Sequence, residues 1–307
     1  MKGLILRSTG LWYDVLAENN HRYKGRLRGK LRLNEDKVTN PIAVGDRVEI
    51  SLEDEEENTV LIEKIEKRDN YINRQSPKKE GFSHTIAANL DQAIVVVTLA
   101  MPRTSAGFID RFLVSAEAFR IPAVLIFNKT DLLSKEELFV QEKMMQRYEQ
   151  IGYKCIAISA TEDEDINKVE IILKNKVSLV SGHSGVGKST LLNRLSPEIE
   201  QTTMEVSDYT EKGLHTTTFA EMFEIEKNTF VIDTPGIKEL GLMDMEKAEI
   251  SHYFPEMRER LNQCKYNNCL HLREPKCAIV EAVENGEIAK SRYNSYLSMM
   301  EGQDNRR

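Results

Sequence analysis

Five short motifs in an unusual order constrain this chain more than its composition does. Asn128-Lys129-Thr130-Asp131 comes first and Ser159-Ala160 second. Gly182-His183-Ser184-Gly185-Val186-Gly187-Lys188-Ser189 is third, a Thr216-Thr217-Thr218 run fourth, and Asp233-Thr234-Pro235-Gly236 last. A conventional guanine-nucleotide switch carries the same elements but starts at the phosphate loop and ends at Asn-Lys-x-Asp. Here the cyclic order is kept and the starting point has moved. Circular permutation leaves a site intact when the original termini lie close enough to be joined. The arrangement requires Asp131 and Lys188, reversed in order, to grip opposite ends of one nucleotide.

With 307 residues the chain has room for two or three domains. Residues 1 to about 69 contain short β-like runs (Gly3 to Ser8, Trp12 to Leu16, Tyr23 to Leu33, Asp46 to Ser51, Thr59 to Ile65) separated by polar turns. Such a series predicts a small barrel, most simply of the OB type. Arg68 to Ala88 is polar and reads as a linker. From Asn89 apolar strands alternate with helices, which predicts a mainly parallel sheet covered on both faces, with a hairpin over Phe219 to Ile232 forming its edge. From about Leu240 the sequence turns helical and polar, with a last helix near Ala282 to Met300. The expected architecture is therefore multidomain α/β: an OB-type barrel over 1–69, a circularly permuted Ras-like P-loop domain over 70–240, and a helical metal-binding domain over 241–307.

No apolar stretch reaches the roughly 20 residues of a membrane helix, and Met1 to Thr9 is too short an apolar run for a signal peptide. A cytoplasmic, membrane-free monomer is expected. A net charge of -7 argues against a protein that coats nucleic acid with its whole surface. It leaves room for a local basic face. Arg22, Lys24, Arg26, Arg28, Lys30 and Arg32 are all even-numbered, so on a strand they share one side and form a candidate RNA-binding strip. Of the four cysteines, Cys155 sits alone in an apolar run and reads as core. Cys264, Cys269 and Cys277 crowd around His271 and supply four ligands, enough for a closed, structural Zn²⁺ site.

The phosphate loop follows the apolar run Val177 to Ser181 and opens a helix, the context this motif requires. Its glycines let backbone N–H groups turn toward the β-phosphate. Lys188 neutralises β/γ oxygens, and the Ser189 hydroxyl ligates Mg²⁺. Asp131 can accept from guanine N1–H and from the 2-amino group, whereas adenine offers an acceptor at N1 and would leave the carboxylate repelled. The alternative for Asp131 is a helix N-cap. Ala160 should present its N–H to guanine O6. Asp233 can hold Mg²⁺ through water and the Gly236 N–H can reach a γ-phosphate, so loss of that phosphate would release the loop. Thr217 is the candidate Mg²⁺-contacting threonine, with Thr216 and Thr218 near-equal alternatives. Ile237 stands where Ras-like enzymes use a water-orienting Gln, which predicts slow intrinsic hydrolysis. His215 either positions water in a partner-completed site or is a solvated loop residue without a role. Two rival classes stay open: a P-loop kinase acting on a small molecule, and an RNA-binding scaffold that binds nucleotide without turnover.

In this order, the barrel, the rotated motif set and the Cys-Cys-His-Cys cluster resemble the YjeQ/RsgA-type ribosome-biogenesis GTPases over nearly the full length. The resemblance rests on G-H-S-G-V-G-K-S-T at 182 to 190 (ending in Thr190), N-K-T-D at 128, G-L-H-T-T-T at 213 to 218, D-T-P-G-I at 233 to 237 and the zinc-type ligands. It implies an OB-fold and a GTPase core stimulated by the small (30S) ribosomal subunit. It further implies a role in late maturation of that subunit, with GTP/GDP, Mg²⁺ and one structural Zn²⁺ as cofactors and rRNA as a partner.

Overall fold

The computed structural model describes residues 1–29, 41–75, 83–196, 199, 220–233 and 245–302. Five strands build the N-terminal barrel: β1 (Lys2–Ser8), β2 (Tyr13–Ala17), β3 (Arg22–Leu27), β4 (Arg47–Asp54) and β5 (Thr59–Ile65). They run in the order β1-β2-β3-β5-β4, and β4 pairs back onto β1 to close it. Only the β3–β5 pair is parallel, the OB arrangement expected from the sequence. Alternation does the work. Ile5, Val15, Val48, Val60 and Ile62 point inward and are fully buried, while Arg22, Lys24 and Arg26 stay outside. The inward position at Gly25 must lack a side chain, because a Cβ there would lie 2.8 Å from Val15 Cγ2.

The segment read as a linker is not one. Tyr71–Gln75 (β6) and Ser83–Ala88 (β7) pair antiparallel. Its polar residues look linker-like because they make tertiary hydrogen bonds. The Arg68 guanidinium donates twice to the fully buried Asp46 carboxylate, at 2.7 Å each, and Asn70 Nδ2 donates to Leu90 O at 2.8 Å. This hairpin fastens the barrel to the domain that follows.

That domain is a six-stranded sheet in the order β10-β9-β8-β11-β13-β12, formed by Lys154–Ala157, Ala123–Phe127, Gln92–Val97, Val177–Gly182, Thr229–Asp233 and Glu221–Glu226. The first five are parallel and β12 is antiparallel to β13. Every residue of Gln92–Val97 is buried, as a strand covered on both faces must be. The β12–β13 hairpin was expected to end the sheet. Instead Arg7 of β1 registers with Glu221 of β12, and the sheet continues into the barrel as 11 strands.

Helices α1 (Ala106–Ala118) and α2 (Lys135–Ile151) pack with one face of the sheet; α3 (Asp163–Leu173) and α4 (Lys188–Leu195) pack with the other. The C-terminal domain folds around Ile250, Phe254, Met257, Ile279, Tyr296 and Met299, with Val114 of α1 in the same cluster. Its described helical pieces are 3-10 turns over Lys247–Tyr253 and Leu261–Gln263, the short α5 (Pro255–Arg258), α6 (Ala278–Glu284) and α7 (Lys290–Met300). The single last helix expected near Ala282 to Met300 is therefore two. Gly286, at φ 79°, ends the first with the left-handed residue that helix C-termini favour. Among the described residues, no helix is long and apolar enough to cross a membrane.

Candidate nucleotide site and metal centre

The phosphate loop sits at the end of the central strand β11 and is braced by contacts from three neighbouring segments. Gly182 lies so close to β8 that a Cβ would approach Val96 O to 2.7 Å. Gly187 caps α4 at φ 89°, and any Cβ there would meet Asn128 Nδ2 at 2.3 Å. Both glycines are thus set by close approach of other atoms. His183 lies against Phe108 of α1, with ring centroids 3.7 Å apart and the planes tilted by 34°. Val186 is fully buried; Ser184, Gly185, Ser189 and Thr190 are exposed at the loop and the first turn of α4.

Asn128 joins the two halves of the site. Buried to 1 % exposure, it donates from Nδ2 to Val186 O at 2.8 Å and accepts the Ala160 N–H on Oδ1 at 3.0 Å. One side chain therefore locks the Asn-Lys-Thr-Asp loop, the phosphate loop and the Ser-Ala loop together. The Ala160 N–H, expected to face guanine, is used for this lock. Lys129 adopts φ 65° and donates from Nζ to Met101 O at 2.7 Å, while Thr130 N–H bonds Ile158 O at 3.2 Å. Asp131 is exposed in a 3-10 turn over Thr130–Leu132, so it does not cap α2. Ser134 does, in a reciprocal capping box with Glu137. Ser159 is buried, and its N–H donates to Asp165 Oδ2 at 2.6 Å. Burial works to raise the Asp165 pKa, but Lys168 and the Ser159 N–H outweigh it and hold the carboxyl below its ordinary range.

At the other end of the site, Lys188 and Asp233 form an ion pair with side chains only 14 % and 11 % exposed. A cation and an anion that both need partners in a half-buried cleft satisfy each other. Ser189 and Asp233 together offer the hard oxygen donors that Mg²⁺ prefers. His215, Thr216, Thr217, Thr218, Gly236 and Ile237 lie outside the described residues.

The Cys-Cys-His-Cys cluster is more compact than its irregular spacing suggests, and its donor set could hold a metal ion. The ligand atoms of Cys264, Cys269, His271 and Cys277 all lie within 4.8 Å of one another. Cys264 Sγ is 3.6 Å from His271 Nδ1 and 4.0 Å from Cys277 Sγ, and His271 Nδ1 is 3.4 Å from Cys277 Sγ. Tetrahedral Zn²⁺ with bonds of about 2.0 to 2.3 Å needs ligand separations of about 3.4 to 3.8 Å; the two sulfur–imidazole separations fall in that range, and the Cys264–Cys277 pair at 4.0 Å would close slightly around an ion. Burial pushes the Cys269 thiol up to about 12 and keeps His271 below its ordinary range, so neutral imidazole and a cation that compensates buried thiolates suit the site. The loop is shaped by Glu274, whose carboxylate accepts the Leu270, Leu272 and Arg273 N–H groups, and by Tyr293 and Tyr296, whose hydroxyls donate to His271 O and Leu270 O. Cys155 is buried in β10, its thiol pushed up to about 12 first by burial, as a core position requires.

Arg22, Lys24 and Arg26 share the outer side of β3, and Arg28 follows the strand; Lys30 and Arg32 lie outside the described residues. Three of these cations have acid partners that the sequence hides on other strands. Lys24 pairs with Asp14, Arg26 with Glu53, and Arg28 with Glu63. The pairs are exposed, so each is readily exchanged for another anion.

Family models for "RsgA GTPase" and "RsgA N-terminal domain" match residues 65–243 and 2–60. A Bacteroides fragilis protein, "Small ribosomal subunit biogenesis GTPase RsgA", is 50% identical over 304 residues, covering 99% of this chain and 97% of its own. A protein of the same name from Christiangramia forsetii is 50% identical over 305 residues with the same coverage. Among solved structures, YjeQ from Thermotoga maritima superposes with a TM-score of 0.80 at 36% identity over 100% of this chain and 99% of its own. YloQ, described as a circularly permuted GTPase, gives 0.77 at 29% identity over 100% and 96%. Matches of this extent, on a sheet whose motif-bearing strands follow the rotated order, mean that the chain is a GTP hydrolase belonging to the RsgA family of circularly permuted GTPases.

Proposed function

We propose that this chain binds the small ribosomal subunit, acts in its late maturation in the cytoplasm, and hydrolyses GTP slowly alone and faster on the subunit. The observation that carries the nucleotide part is the Asn128 bridge, which sets the base-reading loop and the phosphate loop in one fixed relation. Asp131 reads guanine N1–H and the 2-amino group. With nucleotide bound, Lys188 would exchange Asp233 for the β/γ-phosphate oxygens, Ser189, Thr217 and Asp233 (through water) would hold Mg²⁺, and the Gly236 N–H would face the γ-phosphate. Bound Mg²⁺ supplies charge neutralisation at the transferring phosphoryl group. Ile237 has no group to orient water, so a partner must supply or order one; His215 is the side chain of the switch segment suited to that work. The names of the half-identical relatives favour the small subunit as that partner.

GTP hydrolysis measured alone and with 30S, 50S and 70S particles tests this reading. Acceleration by 30S particles is the expected result; rates indifferent to every particle would overturn it. Single-turnover hydrolysis by His215→Ala on 30S particles separates a catalytic from a bystander histidine, since an unchanged stimulated rate removes His215 from the mechanism.

The outer side of β3 and its continuation, Arg22, Lys24, Arg26, Arg28, Lys30 and Arg32, is the surface we assign to rRNA phosphates. Replacing Arg26 and Arg28 by Glu should weaken binding to 30S particles and lower the slope of log K against log salt by about 0.9 for each lost contact. An unaltered slope would take both residues out of the interface. Glu53 and Glu63 are already present as competing anions, so the variant adds repulsion as well as removing attraction.

A further inference from the structure

Helix α1 (Ala106–Ala118) is buried almost all round: Phe108, Ile109, Asp110, Phe112, Leu113, Val114, Ser115 and Ala116 are inaccessible. A helix of that kind is a core element shared by whatever packs against it. Its N-terminal end bears on the phosphate loop at two points. The Phe108 ring lies against His183, and in the lead-in to the helix Pro102 lies 3.4 Å from where a Gly185 Cβ would stand. Its other side belongs to the zinc-type domain. Val114 packs in that domain's core, and Asp110 accepts from Arg292 Nη1 at 2.7 Å.

Arg292 is the most committed contact in this interface. It is fully buried on α7, donates to Glu256 Oε1 at 2.7 Å and Oε2 at 3.2 Å, and lies 4.5 Å from the centre of the Phe254 ring. Asp110, also fully buried, additionally accepts from Tyr148 of α2 at 2.9 Å. A charge cluster this dry resists displacement, because moving the guanidinium away would leave the Asp110 and Glu256 carboxylates buried without their shared cation. Arg258 to Glu117 at 3.0 Å adds a second tie farther along α1. The connection along the chain, 234–244, lies outside the described residues; the contacts through α1 do not depend on it.

We propose that α1 is the element through which the C-terminal domain positions the phosphate loop, with Phe108 and Arg292 as positioning residues at its two contacts. This rests on residues 182–189 being the phosphate loop. A partner that shifts the C-terminal domain moves the Asp110 end of a rigid helix, and Phe108 carries the shift to His183. The effect is reciprocal: nucleotide at the loop must tighten the domain by the same factor.

A double-mutant cycle tests it on the full-length, zinc-loaded chain, read as release of N-methylanthraniloyl-GDP in stopped flow. Arg292→Lys should speed release about tenfold beside wild-type Phe108 and less than about twofold in the Phe108→Leu background, typical of coupling between sites. Equal acceleration in both backgrounds overturns the proposal, because a merely structural loss would add independently. Wild-type protein that fails to bind the labelled GDP would instead bring down the phosphate-loop reading, and the proposal with it. Should Arg292→Lys not fold, hydrogen exchange on the wild type decides. GDP is expected to slow exchange across Lys290–Met300 by about fivefold, the lower end of such couplings, and an unchanged rate there overturns the proposal.

Discussion

Stripping zinc from this protein should melt its C-terminal domain and leave the barrel standing. Protein purified without chelators is expected to carry one zinc per chain. Treatment with a strong chelator, or replacement of Cys264 and Cys277 by Ser, should release amide protection across Ala278–Glu284 and Lys290–Met300. The size of the effect follows from what the metal does. Three cysteines and one histidine converge on a space where separations of 3.4 to 4.0 Å hold the donor atoms close. The ligands are carried on turns, and the helices are the 4-residue Pro255–Arg258, the 7-residue Ala278–Glu284 and the 11-residue Lys290–Met300, which depend on the shared core and on the Arg292 pairs rather than on their own length. Isolated helices of these lengths are marginal in water. Structural zinc contributes on the order of 10 kcal/mol to small domains that it nucleates, more than such a domain holds in reserve. The barrel core of Ile5, Tyr13, Val15, Val48 and Ile62 shares no residue with the C-terminal cluster and should keep its protection. A folded C-terminal domain with negligible zinc would end the assignment.

Which parts of this architecture the sequence displays, and which it conceals, follows from the kind of constraint behind each. Asn128, Asp131, Lys188 and Asp233 are legible because each falls in a short motif whose residue types a nucleotide site would dictate. The barrel strands are legible because alternation across a single core forces period two, and Gln92–Val97 because burial on both faces forces an unbroken apolar run. The hairpin Tyr71–Ala88 is hidden because the polar residues that lead into it, Arg68 and Asn70, look solvated until Asp46 and Leu90 are seen to receive them. The break between α6 and α7 was in reach, since Asn285-Gly286 is a helix-stop signal inside an otherwise helical stretch. Pairings over long separation carry no local signal. Arg292 and Asp110 are 182 residues apart, and the Arg28 and Glu63 pair spans 35. The second task of Asn128 is hidden for a different reason: a residue already explained by one role gives no sign that it also holds Val186 and Ala160.

Asp131→Asn should exchange guanine for xanthine without disturbing the fold. Asp131 is exposed, and its carboxylate makes no hydrogen bond or ion pair with another described residue, so nothing in the folded chain depends on its charge. On the proposed reading its value lies in the base. A carboxylate accepts from both N1–H and the 2-amino group of guanine, two charge-assisted bonds worth about 1.5 to 3 kcal/mol each, so GTP affinity should fall by about 100- to 10,000-fold. Xanthine carries a carbonyl where guanine carries the amine. An asparagine amide can donate to that carbonyl and accept from N1–H, so the loss should be recovered with XTP. The same substitution strategy at Asn128 would behave differently. Asn128→Ala strands the buried Val186 carbonyl and Ala160 N–H, costing about 1 to 3 kcal/mol for each group, and should lower stability and affinity for every nucleotide together. Titration of both variants with GTP, XTP and ATP, beside their melting temperatures, separates base reading from loop locking. If Asp131→Asn still preferred GTP over XTP, Asp131 would not be the residue that reads the base.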